Sequence, residues 1–444
     1  MIQSVHEPER FDTLVVGAGI AGLAYAHALG PNADVVVLEA SERVGGVMRT
    51  VASSSVAGVR WELGPEAVSD DAPATLELGR ELGVEFVVVP ENARKRFVVH
   101  EGALHELPMT LGALLRTELV GGRAKLFALG ERLRPKGAGL DGSLWDFAAA
   151  RLGPELADAL ADPVAAGIWC SDAKKLSLRA NLPQLAAMVE RHGSLTSALL
   201  ARRGPPPAPI RPKGGWGALP AALAGKLGPR VRLARPVRSL EHVGTRWRAT
   251  LDGAAIEARR VVLATPAAAA AELVTPFAPE LAAELSAIVH ESLAAITHVW
   301  PRASVAHPLD GFGYLVSRGE RDLQISTQFS TSIDPTSAPA GTVVLRTRVG
   351  GARNPLAAEL SDDDLAAVVM YEVAPLLGLT GDPLLLATTR SPKVLPRYDL
   401  DHPRRVQTID AMVSVLPGFE LVGNYLRGAG VNAIVADARA RAHA

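Results

Sequence analysis

Three glycines, Gly17, Gly19 and Gly22, stand in the spacing GxGxxG between an apolar run, Phe11 to Val16, and an Ala/Leu-rich stretch reaching Leu29. That spacing suits a pyrophosphate: Gly17 permits a tight turn, Gly19 lets backbone approach the phosphates, and Gly22 lets a helix pack closely on a strand. Ala18, Ile20 and Ala21 complete the turn, and the helix opening there offers N–H donors and a favourable dipole to an anion. Glu39 ends the next apolar run, Val35 to Glu39, where a carboxylate bonds ribose hydroxyls and disfavours a 2′-phosphate. Directly after it, SERVGGVMRT (Ser41 to Thr50) brings Arg43, Gly45, Gly46, Val47 and Arg49. A second backbone approach at Gly45 and Gly46 fits a long, extended dinucleotide better than NAD.

Other chemistry is absent from the sequence. There is no second strand–GxGxxG–helix unit for a nicotinamide, no Ser/His/Asp triad, no HExxH and no CxxC. His290, His298, His307, His402 and His443 lack ligand spacing, so no metal is expected. No side-chain acid or base is expected to carry catalysis, and the redox work falls to the cofactor.

The elements that must hold these residues follow from periodicity. Phe11 to Val16, the glycine turn, the helix to Leu29 and Val35 to Glu39 make a βαβ start. Leu111 to Glu190 is helical and Ala/Leu-rich, with Arg116, Arg123, Lys125, Arg132, Arg134 and Lys136 among apolar residues. That pattern reads as a solvated helix face or as a basic surface meeting anionic lipid. In Arg202 to Pro212 (RRGPPPAPIRP), repeated prolines exclude a helix interior or a central strand, which leaves a loop or linker. Short strands broken by Gly244 and Gly253 follow over Val231 to Arg260, and Val261 to Ala264 leads to Thr265 and Pro266. Alternation returns at Tyr314 to Val316, Leu323 to Ser326 and Val343 to Val349. Ser361, with Asp362 to Asp364 behind it, opens a helix.

Composition bounds the rest. A chain of 444 residues, 48% apolar and 21% charged with net charge −1, suits two or three intertwined domains and neither a disordered polymer nor a nucleic-acid binder. Cys170 is the single cysteine, which excludes an internal disulfide and a thiolate cluster and points to a reducing compartment, the cytoplasm. No signal peptide is read. The most apolar stretch, Val261 to Val274, is interrupted by Thr265, Pro266 and Glu272, so membrane contact, if made, is peripheral, at the inner face.

At RxGG after the ribose-directed Glu39, the sequence resembles the flavin amine oxidase superfamily. Several further blocks resemble the protoporphyrinogen/coproporphyrinogen oxidase family more closely. They are Glu62 to Pro65 (ELGP), Arg94 to Val99 (RKRFVV), Pro163 to Leu178 (PVAAGIWCSDAKKLSL), Pro212 to Leu223 (PKGGWGALPAAL), Leu395 to Thr408 (LPRYDLDHPRRVQT) and Leu421 to Asn432 (LVGNYLRGAGVN). The resemblance implies an α/β protein with a Rossmann-like FAD-binding domain (residues 1–85, 212–272 and 416–444), a mixed-sheet substrate domain (86–100, 200–211 and 273–415) and a helical subdomain (101–199) that faces either solvent or a membrane. It implies noncovalent FAD held by Gly17 to Gly22, Glu39, Arg43, Gly45, Gly46 and Val47 with Leu63, Gly64, Pro65, Glu66, Val237, Asn424, Ala429, Gly430 and Val431. It further implies Arg96 on a substrate carboxylate, Phe312 stacked on a substrate ring and Gly167 in the pocket wall. The implied activity is hydride removal from a porphyrinogen in haem biosynthesis, with electrons leaving to oxygen or a quinone, and a homodimer is an open option.

Four features depart from that family: Glu66 after LGP, Ser171 before Asp172, Ala433 after Asn432, and the short end ARARAHA. They keep two alternatives in play, a related amine oxidase or desaturase on another apolar substrate, and a non-enzymatic flavoprotein.

Overall fold

Strand β1 (Glu9–Val16) is buried without interruption from Thr13 to Val16, the signature of a strand covered on both faces of a parallel sheet. The computed structural model, which describes residues 7–108, 110–201, 206–321 and 323–444, places it between β2 (Val35–Leu38) and the long β13 (Ala254–Leu263), both parallel to it. Outward from β2 lies β10 (Val231–Arg232), and on the far side of β13 lie β12 (Arg246–Leu251), β11 (Ser239–Val243) and β19 (Phe419–Leu421). Helices cover both faces. Ile20–Ala28, Ala218–Leu227 and Val431–Ala442 bury Val15, Val35, Val37 and Val262. Ala267–Val274 and Pro279–Ser286 bury Leu14, Val16, Val36 and Leu263.

The second large sheet runs β18 (Leu385–Pro396), β14 (His290–Pro301), β17 (Thr342–Gly350), β16 (Gln324–Phe329), β15 (Gly313–Val316), β7 (Arg96–His100) and β8 (Ala103–Glu106). Side chains alternate across it. Phe97, Tyr314, Phe329, Leu345 and Ile296 join one apolar core with the helix Asp362–Val368, capped by Ser361. In register on the opposite face stand Arg96, Gly313, Gln328 and Arg346, and in the next row Val98, Leu315, Ser326 and Arg348. The helices Leu144–Leu152, Asp162–Trp169 and Pro183–His192 form a separate cluster around Phe147 and Leu176. Among the described residues no helix is long and apolar enough to cross a membrane.

One expectation fails. Residues 202–205 lie outside the described residues, but Pro209–Pro212 is strand β9, and it is the central strand between β5 (Val68–Ser69) and β6 (Phe86–Val88). The prolines stand at its two ends, where a missing N–H costs little, and Pro209 still accepts from the Val89 N–H at 2.8 Å. A hairpin of β3 (Thr50–Ala52) and β4 (Arg60–Glu62) completes the strands named here.

Candidate active site

The parallel strands β1, β2, β13 and β19 deliver their carboxyl ends to one edge of the first sheet, where ligands of open α/β sheets collect. Gly17 turns there at φ +108°, and a Cβ on it would lie 2.7 Å from the Ala264 carbonyl. On Gly22 a Cβ would lie 2.0 Å from the Gly17 carbonyl, so helix and turn touch. Gly19, the cap of the helix Ile20–Ala28, opens instead on free space. Ala18, Ile20 and Ala21 are buried behind it. Glu39 accepts from the Ala18 N–H at 2.8 Å and from Ser41 N–H and Oγ at 2.9 and 2.8 Å, which fixes the carboxylate beside the turn.

A second loop closes on the first. The Gly45 N–H donates to Ala18 O at 2.8 Å, and Gly45 and Gly46 take φ +98° and +56°. Arg43, exposed, donates to Gly46 O at 2.8 Å and so ties the loop. Val47 is 55% exposed despite its apolar side chain, and Gly64 packs against its carbonyl. From the chain's other end, Gly430 caps the helix Val431–Ala442 and, like Gly19, opens on free space. Both helices follow strands of the parallel set and pack on each other, so their N-termini share the edge. Asn424, half-buried, is held through its Nδ2 on Val394 O, and its carbonyl accepts from the Tyr398 hydroxyl. Ala429 is half-buried next to Gly430, and Val237, half-buried between β10 and β11, packs on the core below. Ala433 covers Gly428 where a Cβ would meet it at 2.4 Å, closing that turn.

Between this edge and the second sheet runs the segment Glu62 to Ala67. Glu62 accepts from Thr50 Oγ1 at 2.9 Å and from the Trp216 N–H at 3.2 Å. Burial, and then the neighbouring Glu66, raise its pKa to about 7. The carbonyl of Leu63 accepts from Arg346 Nη2 at 2.9 Å, and Pro65 is half-buried beside it. Glu66 is buried 3.6 Å from Arg346 Nη1, too far for a hydrogen bond, and its Oε1 has no donor among the described residues. Burial raises its pKa against the pull of Arg346, Arg211 and Arg348.

On the second sheet, β7 pairs with β15 so that Arg96 lies beside Gly313. This brings two of the expected substrate residues together: the Arg96 guanidinium is 5.0 Å from the centre of the Phe312 ring. Arg96 is half-buried, the one hydrogen bond of its guanidinium among the described residues goes to Arg94 O at 3.4 Å, and burial without a counter-charge lowers its pKa. Phe312 packs on Val89, Ala93, Ile333 and Ala67, the residue after Glu66. Gly167 comes to the same sheet face, where a Cβ would lie 2.2 Å from Leu315 Cδ2, and its carbonyl accepts from Arg348. The Ser171 departure is occupied elsewhere, since its Oγ donates to Glu291, the buried partner of Arg397.

The chain matches the flavin containing amine oxidoreductases over residues 20–438. It belongs to that family. This flavin amine oxidoreductase is 31% identical to protoporphyrinogen oxidase of Homo sapiens, with 96% of each chain covered. It is 30% identical to chloroplastic protoporphyrinogen oxidase of Oryza sativa subsp. japonica, covering 96% of this chain and 86% of the relative. Coproporphyrinogen III oxidase of Bacillus subtilis (strain 168) is 26% identical over 94% of each chain. A solved structure from Exiguobacterium sp. 255-15, provisionally named a protoporphyrinogen oxidase, has a TM-score of 0.85 at 25% identity over 99% of each chain. A putrescine oxidase shares the fold, with a TM-score of 0.70 at 20% identity over 98% of this chain and 99% of its own. The α/β fold, the oxidoreductase class and the flavin are thus borne out. The flavin is FAD, because a pyrophosphate turn followed by a ribose-directed glutamate serves a dinucleotide. The structure fits that group: two helix N-termini open on free space, and the glycines around them leave backbone N–H groups uncovered by side chains.

Sequence reasoning missed Arg346, Arg348 and their partners Ser326 and Gln328. The signal was there: in VVLRTRVG two arginines stand two apart on an otherwise apolar strand, so both face the same side.

Proposed function

We propose that this flavin amine oxidoreductase removes hydrides from a porphyrinogen, protoporphyrinogen IX or coproporphyrinogen III, in haem biosynthesis, with oxygen as the final acceptor. Arg96 carries the reading. A half-buried guanidinium over an aromatic ring, with no carboxylate within 4 Å among the described residues, lacks an anion. A propionate on a flat apolar body supplies one, and the names of the relatives support the same substrate class.

In this reading Gly17 to Gly22, Glu39, Arg43, Gly45 to Val47, Leu63 to Glu66, Val237, Asn424 and Ala429 to Val431 hold FAD without a covalent bond. Bound FAD supplies the acceptor for a hydride. The chain's own residues do the rest. Arg96 binds the propionate, Phe312 supports the ring edge, and the Gly167 segment, seated on Leu315, walls the site from water. The test is anaerobic mixing of the holoprotein with each porphyrinogen. Loss of the flavin's visible absorbance is expected, and failure with both substrates overturns the reading. Peroxide release on admitting air tests the acceptor.

A peripheral lipid contact belongs to the same proposal. Leu126 and Leu133 are 71% and 89% exposed, and Phe127 and Leu129 beside them are also exposed. Arg123, Lys125, Arg132 and Arg134 flank them, the pairing of apolar and basic residues that binds anionic interfaces. Co-sedimentation with phosphatidylglycerol vesicles but not phosphatidylcholine vesicles is expected.

A further inference from the structure

Across the second sheet, the face turned toward Leu63 to Ala67 carries two guanidinium groups with no carboxylate within 4 Å among the described residues. Arg96 is one. Arg348 is the other: its Nε donates to Ser326 Oγ at 3.0 Å and its Nη2 to the Gly167 carbonyl, which leaves Nη1 without a hydrogen-bond partner among the described residues. Four neighbouring arginines are matched. Arg346 faces Glu66, Arg211 faces Asp334 at 2.8 Å and Glu62 at 3.6 Å, Arg60 faces Asp334 at 2.9 Å, and Arg397 faces Glu291 at 3.2 Å.

The two free cations stand at opposite ends of a shared floor. From Arg96 the register runs through Gly313 and Gln328 to Arg346, with Arg348 one pair further along the strand of Arg346. Three strand spacings put the backbones of Arg96 and that strand about 14 Å apart. Gly313 contributes no side chain to the floor between them, and Gln328 Oε1 has no hydrogen-bond donor among the described residues. The Gly167 helix, fixed to Arg348, forms one wall, and the apolar Ile168 next to it is 56% exposed. Leu63 to Ala67 forms the other.

We propose that Arg348 is a second carboxylate-binding group, opposite Arg96, and that the site therefore selects a tetrapyrrole with propionates on two opposite rims over one with propionates on a single rim. The inference rests on the porphyrinogen reading above and sharpens it. Coproporphyrinogen III carries four propionates around its perimeter, whereas protoporphyrinogen IX carries two on neighbouring rings and vinyl groups on the far side. In the second substrate the far rim would leave Arg348 desolvated and unpaired, which disfavours it.

Equilibrium titration of the FAD-loaded protein with coproporphyrin III and with protoporphyrin IX, the aromatic products, reads binding apart from turnover. The unsubstituted protein should bind the tetracarboxylate about tenfold more tightly or better, the gain expected of one hydrogen-bonded charge pair. Arg348→Met should lose that difference, weakening coproporphyrin and leaving protoporphyrin bound as tightly or more tightly, while Arg348→Lys, which keeps the charge, should retain part of it. Arg96→Met should weaken both ligands. Retained flavin absorbance shows that a variant is folded, and if the Met variant is not, the parent's affinity ratio decides. Equal affinity of the parent for both porphyrins overturns the assignment of Arg348 alone, as does an equal loss of both ligands in Arg348→Met. If the parent binds neither, the porphyrinogen reading itself has failed.

Discussion

Glu62→Gln offers the sharpest physical test of the buried charge network beneath the site. Burial, with Glu66 adding repulsion, holds the Glu62 carboxyl at about 7 against an ordinary 4.5. Below the ordinary value the carboxyl is protonated in both the folded and the unfolded chain and costs nothing. As pH rises, the unfolded carboxyl ionises freely while the folded one resists, so stability is lost through this window until the folded group titrates as well. The loss amounts to about 3 kcal/mol above pH 7. Glutamine has no such titration, and its oxygen can still accept from Thr50 Oγ1 and the Trp216 N–H. Urea unfolding at fixed excess FAD, followed by tryptophan fluorescence, gives the stability of parent and variant at each pH. Groups common to both largely cancel in the difference. The variant should gain on the parent by about 3 kcal/mol between pH 4 and pH 8. A difference that stays flat, or that moves toward the parent as pH rises, refutes the reasoning.

Other predictions are more direct. Gly22→Ala forces a Cβ to within 2.0 Å of the Gly17 carbonyl and should lower the melting temperature with or without FAD. Gly19→Val meets no protein atom at Cβ and should fold normally yet lose FAD, read as flavin retained on a desalting column. Arg96→Met should raise KM for a porphyrinogen about tenfold or more while NaCl, which weakens the parent's binding, affects the variant less. Leu126→Ser with Leu133→Ser should abolish sedimentation with phosphatidylglycerol vesicles and leave turnover in detergent-free buffer unchanged.

Local pattern and long-range partnership were legible to different degrees. The strand, turn and helix around Gly17 to Gly22 could be read because apolar period and glycine placement agree there, and Glu9–Val16, Ile20–Ala28 and Val35–Leu38 match the reading closely. The cap at Ser361 was equally local. Pro209 to Pro212 was misread because proline's missing donor was taken to exclude a central strand, whereas the partners of this short strand bond around its prolines. Glu66 was visible as a departure from the family, but its partner Arg346 lies on a strand far along the chain, and no periodicity links the two. Arg348 went unnoticed for the same reason, since its meaning depends on which arginines have carboxylates and which do not.

The pairing of β19 with β13 has a consequence for biosynthesis. The sheet that begins with β1 receives β19 and the helix Val431–Ala442 only after almost the whole chain has been made. At 5 to 20 residues per second, the edge of β13 at Val261 to Leu263 waits roughly 10 to 30 seconds on the ribosome for its partner. During that interval the unpaired edge of β13 invites pairing with other chains, while the sheet face that includes Val262 lacks the cover of the helix Val431–Ala442. Lesions near the carboxyl end should therefore reduce the yield of folded protein in cells more than the few contacts they remove would suggest, and FAD supplied during synthesis should not rescue them, because Gly430 must arrive first.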